Sequence, residues 1–512
     1  MGKIQETIIS RFDGGITNDP RDPASNVARM VANFDVINHP HKMVPYRDSE
    51  AGHDSTSSTS RGLQNFAVAL RSGNYVLYAL GEQDGNAKSE VEYKALTTGA
   101  ATDLDDDDWA SPSGGDQSGG SISQFNLFVW YHKTLKLYMA RDSQYIWTHA
   151  PPSTADTTAL DLTSFTNIAQ GLVHSKDDIL YIPYDNKIAK NDNGSWTNAA
   201  LTLPTHLYIT SICEYGNYLA IGCASLNVVG HSVVYLWDRN SSLTTLSESI
   251  NWGVGTLQIL DVVDGTLIGI SRSAGTTPIL YERIYFRAYN GSYAEVFKVL
   301  DITDGGSSAA STLPIAKQKF DNRLFFLMDV TLDGIQRAGL WSIGRNKLGQ
   351  FTLVLERTVN NDTALSTGAM YNFIIVGDYT FIAYDDSAGD DQVSKTNDSA
   401  SYTATSIYES KIFNAGDSSL KKDLMGVTVT TEAMPANGQI VLKYQINENI
   451  GDGTWTTIFT NTTDDSVSYS VPRQSGLLPT EYKEIAFRIE STGGAIITGL
   501  SFEEEVTGKR NY

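Results

Sequence analysis

The chain has 512 residues, 41% of them hydrophobic, with a mean hydropathy of −0.22, a formal net charge of −21 and an isoelectric point near 4.7. That length allows about two or three domains with a large core, and no apolar run approaches the ~20 residues that span a bilayer. So acidic a surface repels phosphate and anionic lipid at long range, which excludes nucleic-acid binding over the whole surface and favours solubility.

Residues 1–60 read as an N-terminal arm with the first strands. The opening residues carry no apolar stretch, so no secretory leader is expected. Arg11-Phe12-Asp13-Gly14-Gly15-Ile16 runs into Asn18-Asp19-Pro20-Arg21-Asp22-Pro23, where proline and glycine disfavour regular elements. Ser25 stands where it would cap a short helix through Val27-Ala28-Arg29-Met30-Val31-Ala32. Asn33-Phe34-Asp35-Val36 reads as a strand entry, Val44-Pro45-Tyr46-Arg47 as an extended segment and residues 49–60 as a polar loop. Gly14-Gly15 suits a tight turn or close approach to another backbone.

Residues 61–384 carry one pattern seven times: a Gly, Asn, Asp or Thr turn feeding a short aromatic and branched apolar run. The copies are Tyr75-Val76-Leu77-Tyr78, Leu135-Lys136-Leu137-Tyr138, Ile179-Leu180-Tyr181-Ile182, Tyr218-Leu219-Ala220-Ile221, Thr266-Leu267-Ile268, Arg323-Leu324-Phe325-Phe326 and Tyr379-Thr380-Phe381-Ile382. Their spacing of 39 to 60 residues matches a four-stranded propeller blade, about 40 to 50 residues plus loops. Asn193-Gly194 and Asn290-Gly291 add hairpin turns. The inserts at 99–121, with the acidic run 103–108, and at 304–312 read as exposed loops. The expectation is an all-β chain whose centre is a β-propeller of about seven blades, with six as the alternative.

Residues 385–404 read as a polar linker. From 405 to 512 the pattern changes to clean alternation, as in Ile440-Val441-Leu442-Lys443-Tyr444-Gln445-Ile446, Val467-Ser468-Tyr469-Ser470-Val471 and Ile485-Ala486-Phe487-Arg488-Ile489. Period-two alternation marks half-buried antiparallel strands. With Val427-Thr428-Val429, Trp455-Thr456-Thr457-Ile458 and Leu500-Ser501-Phe502, about six strands are expected, enough for a small C-terminal antiparallel β-sandwich.

No catalytic motif stands out: there is no Gly-x-Ser-x-Gly elbow, His-Glu-x-x-His or P-loop. Cys213 and Cys223 lack zinc-site spacing and make no disulfide framework, although one bridge between them stays open. His39 and His41 read as a surface pair. The acidic segments 103–108 and 385–391 lack the EF-hand spacing and read as solvated loops. No cofactor, metal or catalytic residue is therefore expected. A sugar-cleaving propeller is the enzymatic rival: Asp192-Asn193-Gly194-Ser195-Trp196 approaches a sialidase-type turn with its Trp one residue early, and Trp109 and Trp147 are candidate sugar platforms.

Phe12-Asp13-Gly14-Gly15-Ile16, then Asn33-Phe34-Asp35-Val36 and Val44-Pro45-Tyr46, resemble the opening of bacteriophage tail and virion structural proteins. The alternating strands from 421 to 506 resemble the terminal domains of such proteins. The resemblance implies a ring-forming nozzle, or tail tube, subunit of a short-tailed phage, located in the virion after assembly in the host cytoplasm. It implies a homo-oligomer, favoured as a hexamer, that contacts adaptor and fibre proteins and lets DNA pass without specific binding. Phe12, Asp13, Gly14, Gly15, Asn33, Phe34 and Asp35 are the implied subunit-contact candidates, with closure of the propeller ring by residues 1–60 as the alternative use of that segment. A receptor-binding or fibre-attachment protein recognising host glycan is the second reading.

Overall fold

A computed structural model describes residues 3–507 apart from 17–26, 55–60, 72–73, 84–87, 97–116, 119–126, 152–155, 226–229, 243–245, 274–281, 303–314, 333–334, 360–369, 386–390, 397–400, 403 and 415–417. The acidic run 103–108, Trp109, the tract 304–312, the proline-bearing stretch 18–23, Ser25 and most of the acidic segment 385–391 lie outside the described residues. Within them the fold is all-β, with two single-turn 3-10 pieces at Asn447–Asn449 and Arg473–Ser475. No helix among the described residues is long and apolar enough to cross a membrane. The chain divides into two compact units: a repeat unit, Glu50–Val330 with Leu365–Asp398, and a terminal unit, Met1–Ser49 with Thr331–Ala364 and Ser399–Tyr512.

The repeat unit is built from four-stranded antiparallel meanders. In chain order the first five are Arg61–Arg71, Asn74–Gln83, Lys88–Leu96 and Gln117–Ser118; Phe128–Tyr131, Lys136–Ala140, Tyr145–His149 and Asp156–Asp161; Leu172–His174, Ile179–Tyr184, Lys187–Asp192 and Ser195–Thr202; Leu207–Tyr215, Tyr218–Ser225, His231–Trp237 and Glu248–Val254; Thr256–Val263, Thr266–Ser273, Glu282–Tyr289 and Ala294–Ile302. A hairpin, Ile315–Phe320 with Arg323–Leu332, follows. The last meander is Met370–Val376, Tyr379–Asp385 and Asp391–Thr396, completed by Ser49–Asp54 from the start of the chain.

Every sequence copy falls at the start of a second strand. The turn before it holds a left-handed residue at Leu135, Asp178, Gly216, Asp264, Asp321 and Gly377, with φ between 47° and 61°. Such turns match the right-handed twist of the strands they join. Second strands lie inside their sheets with both faces covered, so they read as continuous apolar runs. Leu77, Tyr78, Ala79 and Leu80 are fully buried, and so are Leu219, Ala220 and Ile221. Neighbouring sheets pack closely: a Cβ on Gly269 would lie 2.6 Å from the ring of Trp252, which comes from the preceding sheet. Cys213 and Cys223 are buried free thiols, so no bridge joins them.

Four expectations are corrected. Residues 27–32 hold the strand Ala28–Ala32 rather than a helix; all five strand residues are buried, and a strand covered on both faces loses the period-two signature. Residues 49–54 are a strand rather than a loop. The linker proposed at 385–404 contains the strand Asp391–Thr396, in which Ser394, Lys395 and Thr396 are polar yet buried. The terminal unit joins residues of the arm to 331–364 and the C-terminal strands, so neither the arm 1–60 nor the segment 405–512 is a separate body, and 61–384 is not one contiguous body.

In the terminal unit, Lys3–Ile9, Ile497–Val506, Lys422–Thr431 and Ser468–Pro472 form one sheet. Ile335–Arg345, Phe351–Thr358, Ala28–Ala32, Ser406–Ser410, Ile485–Thr492, Gln439–Ile446 and Thr456–Asn461 lie side by side in another. All six expected C-terminal strands are present, with Ser406–Ser410 added. The sheets meet in a sandwich-like core, where Phe502 of the first lies 4.8 Å from Phe487 of the second and 4.9 Å from Phe413. Buried in the same unit, Tyr482 donates to Glu504 at 2.7 Å. Burial holds the Glu504 carboxyl above its ordinary value, against the pull of Tyr482 and Lys422.

Replacing Gly269 with Ala is expected to lower stability by about 1–3 kcal/mol, because the new methyl overpacks against Trp252; urea unfolding measures it. Glu504 favours folding below its unfolded pKa of about 4.5, and that contribution disappears as pH rises through its raised native value. Glu504→Gln keeps an acceptor for Tyr482 and is expected to raise stability at pH 7 relative to pH 5, read as a flatter plot of melting temperature against pH.

Candidate functional site

The first strands of the meanders converge on one cavity of about 450 Å³ within the repeat unit. Seven short segments line it: 66–68, 128–130, 167–170, 208–211, 258–259, 316–318 and 372–374. Each lies in, or just ahead of, the first strand of one meander or of the hairpin. This convergence of first strands on a central space is the arrangement of a β-propeller.

A local irregularity recurs at the same place. The pairing of first with second strand slips between Leu63 and Asn65, Ile209 and Ser211, Leu257 and Ile259, Ile315 and Gln318, and Met370 and Asn372. A bulge inserts an unpaired residue and re-aims side chains. Thr210, Gln258, Ala316 and Lys317 are such inserted residues, and all four line the cavity.

Polar side chains on these segments bond to the next sheet. Gln170 accepts from the Phe128 N–H at 3.4 Å and donates to its carbonyl at 2.9 Å. Gln318 does the same for Ile375, accepting at 2.7 Å and donating at 2.8 Å. Ser211 accepts from Leu260 N–H at 3.1 Å and donates to its carbonyl at 3.4 Å. Asn167 donates to Ile209 O at 2.7 Å, and Asn372 to Asn65 Oδ1 at 2.8 Å. Lys317 Nζ donates to Ile212 O at 2.7 Å and to Leu260 O, and lies 3.2 Å from Asp261 Oδ2. Between the first two sheets the link is aromatic: Tyr78 and Trp130 stack at 6.0 Å with their planes 7° apart.

Lys317 is the one charged side chain among the described lining residues, and Asp261 neutralises it. No Asp, Glu or His is among them. Among the described residues no group of three His, Cys, Asp or Glu could hold a metal ion. His41 Nδ1 lies 3.3 Å from Ser10 O. Trp147 donates its indole N–H to Asp142 at 3.0 Å, and Trp196 packs edge-on against Tyr138 at 5.6 Å.

The residues implied as subunit contacts lie apart from this cavity, in the terminal unit. Phe12 is fully buried, edge-on to Tyr408 at 5.4 Å. The buried Asp13 carboxylate accepts from Arg11 at 2.7 Å, and its carbonyl accepts from Thr352 Oγ1 at 2.9 Å. Gly14 is half-buried. Gly15 sits at φ 70°, where a Cβ would lie 2.6 Å from Leu353 O. Asn33 accepts from Thr358 N–H at 2.9 Å and donates to Thr405 O at 3.1 Å. Phe34 is fully buried, and Asp35 accepts from Asn38 N–H at 3.1 Å. These side chains are engaged inside their own chain, and the close backbone approach foreseen for the glycine pair is to this chain's own Leu353.

The cavity residues escaped sequence reading. Their one signal is position, a few residues upstream of each repeated second strand, and a bulge has no residue signature of its own.

No protein-family model matches the chain, and no curated protein does. Among solved structures it is similar to the Dos1 propeller, at 11% identity over 69% of this chain and 96% of that one with a TM-score of 0.41. It is also similar to the Neurospora crassa Pan2 WD40 domain, at 11% identity over 69% and 97% with a TM-score of 0.38. A third is the Niastella koreensis GH74 enzyme, at 12% identity over 90% and 75% with a TM-score of 0.41. Likeness at this level says nothing about function.

Gln318→Leu removes both partners of the Ile375 backbone. It is expected to cost about 1–3 kcal/mol per group left unpaired, measured by denaturant unfolding, with enhanced amide exchange in Met370–Val376.

Proposed function

We propose that this chain is a structural subunit of a bacteriophage tail, a ring-forming nozzle with six copies. Its parts would be a seven-bladed propeller, with Ser49–Asp54 closing the last blade, and a β-sandwich that joins N-terminal to C-terminal strands. Six four-stranded meanders plus the hairpin at 315–332, and seven segments around one cavity, support the blade count.

The observation that carries the tail reading is the role of the residues that bear the resemblance. Phe12, Asp13, Gly15, Asn33 and Phe34 are buried and bonded at the heart of the terminal unit. A motif with that many structural duties is a signature of shared architecture rather than chance spacing. Subunit contacts then fall to surfaces outside the motif. A cavity of 450 Å³ is far too small for duplex DNA, whose major groove alone is about 12 Å wide. DNA would therefore pass through the hole of the assembled ring, where the net charge of −21 keeps phosphates from sticking.

Native mass spectrometry with negative-stain imaging tests this. The expected result is a closed six-fold ring, or labelling at the tail tip of virions. A trimer that binds host glycan would overturn the nozzle in favour of a receptor-binding protein.

A further inference from the structure

Most polar groups of the central cavity hold neighbouring sheets together, but two stand apart from that task. Gln258 is the inserted residue of the bulge in Thr256–Val263, half-buried and among the lining residues. Tyr208 is half-buried in the same lining. Neither belongs to the set of side chains that bond one sheet to the next. A bulge residue has no ladder partner to specify it, so an amide at 258 is not required by the strand pairing.

Around these groups the wall is aromatic and uncharged. Trp130, fixed by its stack on Tyr78, lines the cavity with Phe66, Phe128 and Phe373. The Lys317 ammonium is held by two carbonyls and neutralised by Asp261, so an incoming anion would meet no free cation. The volume of about 450 Å³ lies in the range of small-molecule sites, about 300–1,000 Å³.

We propose that the central cavity binds a neutral saccharide of one or two rings. Its C–H faces would lie against the aromatic wall. Its hydroxyls would meet the Gln258 amide, which both donates and accepts, and the Tyr208 hydroxyl. Burial pushes the Tyr208 pKa up, which keeps that hydroxyl protonated across the ordinary pH range. This inference stands apart from the tail assignment, and either can fail without the other.

The test uses the full chain, saturation-transfer NMR and calorimetry. The probes are glucose, galactose, N-acetylglucosamine and maltose, with N-acetylneuraminic acid and inorganic phosphate as the anionic arm. Expected is binding of at least one neutral sugar with a Kd of about 0.1–5 mM. Gln258→Leu should weaken it about tenfold at unchanged melting temperature, and Tyr208→Phe should weaken it in the same direction. Silence of every neutral sugar up to about 50 mM, affinity unchanged in both variants, or tighter binding of the anions overturns the proposal.

Discussion

The repeat unit depends on side chains that bond to a neighbouring sheet's backbone where strands from different sheets converge without pairing. The inner strands bring N–H and C=O groups to the cavity wall, and a buried backbone group without a partner costs about 1–3 kcal/mol. Gln170, Gln318 and Ser211 each satisfy both groups of one residue in the next sheet. Lys317 reaches two carbonyls at once. The bulges make this geometry available, because they turn residues toward the centre that a regular ladder would face into the sheet. The composition of the cavity wall is therefore largely a consequence of closure. Gln258 and Tyr208 acquire their meaning against that background.

The terminal unit obeys a different constraint. Its sheets need strands from both ends of the chain, and the residues between Phe12 and Phe34 fix how the N-terminal strands enter. Gly15 is there because Leu353 leaves no room for a side chain. Asn33 takes a left-handed conformation at φ 61° while its side chain bridges Thr358 and Thr405. Short motifs with such exact steric duties persist where an architecture persists. That is why a resemblance borne by a handful of residues carries structural content.

What was legible in the sequence follows from how local its physics is. The repeated second strands were readable because burial on both faces and a left-handed turn act over a few consecutive residues. The alternating strands near the C-terminus were readable for the same reason. Ala28–Ala32 was misread because full burial erases alternation and the preceding Ser25 imitates a helix cap. Asp391–Thr396 was misread because its polar side chains find partners inside the fold, as when Thr396 Oγ1 accepts from Thr380 N–H at 3.0 Å. The cavity was invisible because it is assembled from seven distant segments, each set by a bulge that tertiary pairing alone specifies.

The outer strand Ser49–Asp54 leaves the ribosome long before Asp391–Thr396, the strand it must join. Lys3–Ile9 likewise waits for Ile497–Val506. Pairings of such sequence separation make folding slow and late. Synthesis therefore ends with both closures still to be made, and a nascent chain carries two unsatisfied strand edges through most of its translation. The acidic surface then has a kinetic use: like-charged chains crowded on one message repel one another while those edges remain open.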